Sequence, residues 1–451
     1  MKNKFKNKNV LIVGLKKSGE SSLELLQKLG AFCYVYDDNK DVLKCYGGRD
    51  NCNIASFLDE DLIKVMDYMI ISPGVSIYCE CVKLANLYGV KVLSELELGT
   101  SFARGKIIGI TGTNGKTTTC SLIYHILKIA KHPAVLCGNI GEPITANILP
   151  FKTNYVVEMS SFQLESAEKL RPNIAAITNI TPNHLDRHLT FNNYRDSKFN
   201  IFKNMQHCDT LILNYDDKTL RTLKNQKVHP KIIWISIKDE IDGYFVEGHK
   251  VFYKHKNKTE CVIDIENIKL VGKHNLYNIL IALAVGKKLK VSDKVIEFAV
   301  SSFEPLTHRL QFVKNVNGVD YVNDSKSTSP DSTITAIDAF HKKPLILLLG
   351  GSDKNASFDK LAKKIKHSSN IKLVVVSGAT SQKIISSLKK YGVKNYHKVS
   401  SFLEGLTVAT KLAESGDTIL LSPACASFDY FRSFEERGEK FCEYVEKLKN
   451  T

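Results

Sequence analysis

Apolar residues in this chain fall in short runs that end at glycine or polar turns, followed by stretches in which they recur at helical spacing. Val10-Leu11-Ile12-Val13 predicts a buried strand, 20–29 a helix, and Cys33-Tyr34-Val35-Tyr36 a second strand that ends at Asp37. Tyr68-Met69-Ile70-Ile71 is another strand and stops at Ser72-Pro73-Gly74. Strand and helix in alternation imply a parallel sheet with helices on its faces. The grammar restarts with a strand at 106–110, continues through Tyr155-Val156-Val157 and 174–177, and restarts again after Glu304-Pro305 with strands at 345–349, 373–376 and 418–421. The pattern predicts an α/β protein of three segments, 1–103, 104–304 and 305–451.

A chain of 451 residues is longer than one hydrophobic core usually serves, which agrees with several domains. No apolar run reaches the roughly 18 residues of a membrane span. The basic start leads into a strand and a glycine turn, not into the apolar core of a signal peptide, so the protein is expected to act in the cytoplasm, with no membrane partner. The 11 cysteines are odd in number and scattered, without a CxxC pair, which favours reduced thiols over a zinc site or a disulfide framework. The net charge of +16 comes from lysines spread over the whole chain, and no nucleic-acid reader motif accompanies it. A small anionic substrate suits such a field, and no nucleic-acid partner is expected.

The strongest local feature is Gly109-Ile110-Thr111-Gly112-Thr113-Asn114-Gly115-Lys116-Thr117-Thr118, with an apolar strand before it and a helical stretch, 119–128, after it. Glycines let successive backbone N–H groups turn inward on phosphate oxygens, and the helix N-terminus adds partial positive charge. Lys116 can reach the outer phosphates of ATP, and the Thr117 hydroxyl can hold Mg²⁺. Ile110 stands where the longer phosphate-loop pattern has its first glycine, so the shorter Gly112-x-x-Gly115-Lys116-Thr117 form carries the signal. The alternative is a structural glycine turn.

Glu158 closes the strand at 155–157, and ligands of open α/β sheets bind beyond the carboxyl ends of strands. Ser160, Ser161 and Gln163 follow as a helix start with a capping box. Glu158 can thus face the phosphate site and share Mg²⁺ with Thr117, or be a surface acid at a strand end. His184, Asp186 and His188 crowd one short stretch and could bind a transition metal, although Mg²⁺ prefers oxygen ligands. Tyr194, Lys198 and Phe202 would share a helical face, and a lysine among aromatics ordinarily snorkels to water.

Together these motifs resemble the Mur ligase and folylpolyglutamate synthase superfamily. Thr111 to Thr118, Glu158 to Leu164, Asn183 to His188 and Tyr194 to Lys198 stand in that family's order. The resemblance implies a Rossmann-like N-terminal domain for a UDP-sugar, a central P-loop domain with a mostly parallel sheet for ATP, and a C-terminal Rossmann-like domain for an amino acid. It implies that Gly112, Thr113, Asn114, Gly115, Lys116, Thr117 and Thr118 cradle ATP, and that Asn275, Arg309 and Asp324 complete the nucleotide site. Lys116, Glu158, His184 and Lys198 would be catalytic, and Thr117, Glu158, His184 and Lys198 would hold Mg²⁺, the lysine after carbamylation by CO₂.

Asn323-Asp324-Ser325-Lys326-Ser327-Thr328 and Leu421-Ser422-Pro423-Ala424-Cys425-Ala426-Ser427-Phe428-Asp429 are similar to motifs of the members that add D-glutamate to UDP-N-acetylmuramoyl-L-alanine. By that likeness Lys326, Thr328, Lys354, Ser427 and Phe434 surround D-glutamate, and lysines suit a dicarboxylate. In the first segment Gly14-Leu15-Lys16-Lys17-Ser18-Gly19 lacks the middle glycine of a dinucleotide fingerprint, Lys16 standing in its place. The resemblance assigns Ser18, Asp37, Gly74, Asn139, Ser160 and His184 to the UDP-sugar. The implied activity is ATP-dependent amide ligation through an acyl phosphate by a monomer. Another ligase of the superfamily is the near alternative. An NAD-dependent dehydrogenase would leave Lys116, Glu158 and Lys198 without a role, and a non-catalytic ATP- or nucleic-acid-binding switch protein would leave three site clusters unexplained.

Overall fold

The computed structural model describes residues 4–449 apart from 50, 271, 305–306, 341–342 and 354–355, so Lys354 lies outside the described residues. Three sheets carry the fold. The first is formed by β1 (Asn9–Val13), β2 (Phe32–Tyr36), β3 (Cys52–Ile54), β4 (Tyr68–Ile71) and β5 (Lys91–Ser94), all parallel, in the order β3-β2-β1-β4-β5. Strand β1 is buried on both faces: Val10 and Ile12 pack with Leu23 and Leu26, Leu11 and Val13 with Ile63, Met69 and Val82. That is why its sequence is a continuous apolar run rather than an alternating one. The strand order reverses between β1 and β4, so the loops after these two strands open a crevice at the carboxyl edge.

The second sheet contains β6 (Gly105–Thr111), β7 (Ala134–Gly138), β8 (Thr153–Glu158), β9 (Ile174–Ile177), β10 (Thr210–Asn214), β11 (Lys231–Ser236), β12 (Gly243–Glu247), β13 (Lys250–His255) and β14 (Lys258–Asp264). Its order is β14-β13-β12-β11-β10-β9-β6-β8-β7. Strands β6 to β12 pair in parallel, and β12, β13 and β14 close the edge as antiparallel hairpins. The third sheet has β15 (Gln311–Val316), β16 (Val319–Asn323), β17 (Leu345–Gly350), β18 (Ile371–Ser377), β19 (Tyr396–Lys398) and β20 (Thr418–Leu421), ordered β15-β16-β20-β17-β18-β19 and parallel except for the edge hairpin β15–β16.

The chain forms two compact units: Met1–Asn267 with Leu276–Ser302, which holds the first two sheets, and Ile268–Asn275 with Phe303–Thr451, which holds the third. Helices begin earlier than apolar periodicity predicts. Lys17–Lys28, Lys116–Ile129 and Lys273–Lys288 each start with polar residues that apolar periodicity does not register, although Thr117, Thr118 and Thr119 are buried. The helix Phe191–Phe199 stops before Phe202, so Phe202 does not continue the face of Tyr194 and Lys198. Among the described residues, no helix is long and apolar enough to cross a membrane.

Candidate active site

The loop after β6 is shaped by two glycines. A Cβ on Gly112 (φ 143°) would sit 1.9 Å from Thr178 Oγ1, and one on Gly115 (φ 85°) 2.5 Å from Asn278 Oδ1. Thr113 N–H donates to Asn179 O at 2.9 Å, Asn114 N–H to Asn179 Oδ1 at 3.0 Å, and the Thr113 hydroxyl meets Tyr194 OH at 3.0 Å. The loop is therefore tied to the segment after β9 and to Tyr194 by hydrogen bonds that need no ligand. Gly115 provides no side-chain cap for the helix that begins at Lys116, which leaves the first N–H groups for an anion. Lys116 Nζ donates to Gly112 O and Thr113 O, both at 2.8 Å.

Glu158 ends β8 and is 2% exposed. Its Oε1 accepts from Asn139 Nδ2 at 2.8 Å, while Oε2 is buried without a hydrogen-bond partner. The Thr118 hydroxyl is another buried oxygen without a partner. Ser160 and Gln163 form the expected capping box, which fixes the chain as it leaves Glu158.

Lys198 does not snorkel: it is 2% exposed, and its Nζ donates to Gly112 O at 2.9 Å and lies 4.8 Å from the Tyr194 ring centroid. Burial, reinforced by Lys116 and opposed by Glu158, pushes its pKa well below the ordinary lysine value. Lys116, Glu158 and Lys198 are thus electrostatically joined around one loop. His184 sits apart from that core. It is exposed, caps the short helix Leu185–His188 with φ 53°, and packs its ring edge on Phe162 at 5.0 Å. His188 takes the opposite role, buried with Nε2 3.0 Å from Ser161 Oγ. Among the described residues, the one group of three His, Cys or carboxylate ligands within 4.8 Å is His249, Asp264 and Glu266, exposed or half-buried beside the hairpins.

At the carboxyl edge of the first sheet, Asp37 holds the loop after β1: Oδ2 accepts from Leu15 N–H at 2.7 Å and Oδ1 from Asn39 N–H at 2.9 Å. Ser72 Oγ donates to Gly14 O at 2.7 Å. A Cβ on Gly19 would lie 1.9 Å from Gly14 O, so Gly14 and Gly19 are the sterically required glycines, whereas Lys16 is exposed at the helix N-cap. Ser18 is half-buried in the first turn of that helix. Gly74 has open space around it, and its carbonyl accepts from Arg187.

In the second unit, Asp324 is buried, with Oδ2 accepting from Ser422 Oγ at 2.8 Å and Oδ1 from Leu310 N–H at 3.2 Å. Burial raises its pKa to about 6. Arg309 keeps a buried Nε without a partner, and Asn275 is 7% exposed. His274 is pushed down to about 4 by burial and then by Arg309. Lys326 Nζ lies 5.6 Å from the Phe434 ring centroid, Ser427 is buried and Thr328 is half-buried. The loops carrying these residues are bound by Arg437, which donates to Ser325 O at 2.8 Å, Ser325 Oγ at 2.9 Å, Cys425 O at 3.1 Å and Ala426 O at 3.2 Å.

Residues 110–286 match the Mur ligase middle domain, and 308–425 the Mur ligase glutamate ligase domain. The chain is 38% identical to the UDP-N-acetylmuramoylalanine–D-glutamate ligase of Caldicellulosiruptor bescii, over 99% of each chain. It is 39% identical to the enzyme of that name from Lachnoclostridium phytofermentans, again over 99% of each. The chain belongs to the Mur ligase family. Mur ligases share its fold: a MurF ligase from Thermotoga maritima, solved in complex with ADP, superposes with TM-score 0.62 at 17% identity, covering 99% of this chain and 97% of the other. A pseudomurein peptide ligase type C from Methanothermus fervidus gives 0.61 at 19% identity, over 97% and 100%.

Sequence reasoning passed over three residues of this Mur ligase that the structure makes prominent: Asn278, which accepts from Thr119 Oγ1 at 3.1 Å under the glycine loop; Arg437; and Arg187. Asn278 lies near the polar start of the helix Lys273–Lys288, and its partner 159 positions away left no local trace. The two arginines sit among acids or other polar residues and look like ordinary surface charges.

Proposed function

We propose that this Mur ligase joins D-glutamate to UDP-N-acetylmuramoyl-L-alanine, with conversion of ATP to ADP and phosphate, as a cytoplasmic monomer in peptidoglycan precursor synthesis. Full-length similarity to curated D-glutamate ligases supports the substrate pair. The observation that carries the chemistry is the convergence of Lys116 and Lys198 on Gly112 beside a buried carboxylate with one unpartnered oxygen.

The glycine loop and Lys116 hold the triphosphate and stabilise charge spread over the transferred phosphoryl group. The alanyl carboxylate of the nucleotide-sugar attacks the γ-phosphorus; a new P–O bond forms, the bond to ADP breaks, and an acyl phosphate results. The D-glutamate amine then attacks the acyl carbon, the amide forms, phosphate leaves and the amine releases a proton. The unpartnered buried oxygen of Glu158 suits the oxygen ligation that Mg²⁺ prefers, and Glu158 with the buried Thr117 would hold it. Mg²⁺ there would neutralise phosphate charge, with His184 assigned to a second ion. Burial at Lys198 favours the neutral amine, the form that adds CO₂; in that addition an N–C bond forms, a proton leaves, and the resulting carbamate offers anionic oxygens. Asn275, Arg309 and Asp324 are assigned to the nucleotide, Ser18, Asp37, Gly74, Asn139 and Ser160 to the UDP-sugar, and Lys326, Thr328, Lys354, Ser427 and Phe434 to D-glutamate.

The test is phosphate release from ATP with UDP-N-acetylmuramoyl-L-alanine and either D-glutamate, L-glutamate or no amino acid. Release and a new amide that require both the nucleotide-sugar and D-glutamate are expected. Release with a different acceptor or amino acid would move the chain to another substrate pair of the superfamily.

A further inference from the structure

We infer that Arg187 is a positioning residue for the nucleotide-sugar, fixing the turn after β4 against the segments that carry Glu158 and His184. Its guanidinium donates from Nη1 to Pro73 O at 3.0 Å and Gly74 O at 3.3 Å, and from Nη2 to Val75 O at 3.1 Å. On its other side Nε and Nη2 meet Glu165 Oε2 at 3.3 and 2.9 Å, and the plane stacks on Phe162 at 4.5 Å from the ring centroid. The pair is largely buried, with side chains 18% and 10% exposed.

These partners come from three places that face one substrate in the proposed reaction. Pro73, Gly74 and Val75 form the turn at the carboxyl edge of the first sheet. Glu165 ends the helix Ser161–Glu165 that follows Glu158, and Arg187 lies on the short helix capped by His184. A planar cation with five donors in a fixed fork can engage three carbonyls, a carboxylate and a ring at once; an ammonium group cannot. The clamp has two consequences. It fixes the spacing between the turn and the phosphoryl-transfer residues, which sets where the far end of a long substrate falls. It also engages three carbonyl oxygens that would otherwise repel an approaching diphosphate.

The identity of the ligand rests on the proposed function, so two readouts are needed. The first is amide hydrogen exchange of the full chain in Arg187→Lys and Glu165→Gln. Faster exchange at 73–79 with unchanged exchange in β6 and β8 is expected, larger in Arg187→Lys. Unchanged exchange at 73–79 would overturn the clamp whatever the substrate. The second is steady-state kinetics. Arg187→Lys should raise KM for the nucleotide-sugar about tenfold or more, with kcat and KM for ATP within about twofold, as loss of charge-assisted hydrogen bonds to one turn implies. A parallel rise in both KM values, or none, would overturn the positioning role. If the parent protein does not turn over this nucleotide-sugar, the substrate assignment fails and the exchange result alone decides the clamp.

Discussion

Buried charge is handled in opposite ways around the glycine loop and beneath the 422–429 loop. At the first, two lysines converge on a single carbonyl, Gly112 O at 2.8 and 2.9 Å, and Glu158 keeps a buried oxygen without a hydrogen-bond partner. At the second, Arg437 is 2% exposed and donates to both oxygens of Ser325 and to the carbonyls of Cys425 and Ala426. Burial lowers its pKa only to about 10, so it stays charged at neutral pH. A buried charge whose donors all end on the protein is scaffold. A buried carboxylate left with an unpartnered oxygen, beside a buried lysine, is arranged for something that is not protein.

The largest effect that can break this contrast is at Lys116. Lys116→Ala should lower kcat for phosphate release by about 10³-fold or more while leaving the fold intact, because its charge acts on the transferred phosphoryl group. A kinetic measurement paired with circular dichroism checks both halves. Arg437→Met should do the reverse, destabilising the second unit by about 3–5 kcal/mol in denaturant unfolding, since the acceptors it leaves are buried.

A subtler asymmetry lies within the second unit. Asp324 has a folded pKa of about 6 against 3.8, so its contribution is full below about 3.8 and is lost as pH rises through 6. His274 has a folded value of about 4 against 6.5, so its contribution is full above 6.5 and is lost as pH falls toward 4. Each shift corresponds to about 3 kcal/mol, and the two slopes oppose each other across the same window. In thermal unfolding, Asp324→Asn should therefore gain stability relative to the parent as pH rises from about 4 to 6. The smallest effect is at the helix start after Glu158, where Ser160→Ala should cost about 1 kcal/mol by loss of the capping box.

What could be read in the sequence depended on how far apart the partners lie. The glycine loop, the capping box at Ser160 and the buried run of β1 are set by neighbours within a few positions, and each leaves a local pattern. The hairpins β12, β13 and β14 went unread because their apolar alternation is diluted by charged residues on an edge that water reaches. Lys198 and Arg187 depend on partners 86 and 112 positions away, Gly112 and Val75. Contacts of that kind leave no periodic trace, so an aromatic-flanked lysine suggested snorkelling until the fold enclosed it.

The most direct test of the central claim is Glu158→Gln. The Asn139 contact to Oε1 can survive this change, so only the carboxylate charge and the unpartnered oxygen are lost. A melting temperature unchanged within about 2 °C or raised, together with phosphate release reduced by about 10²-fold or more, is the predicted result. A marked loss of stability with phosphate release preserved in the folded fraction would show that Glu158 is scaffold like Arg437 and would contradict the account.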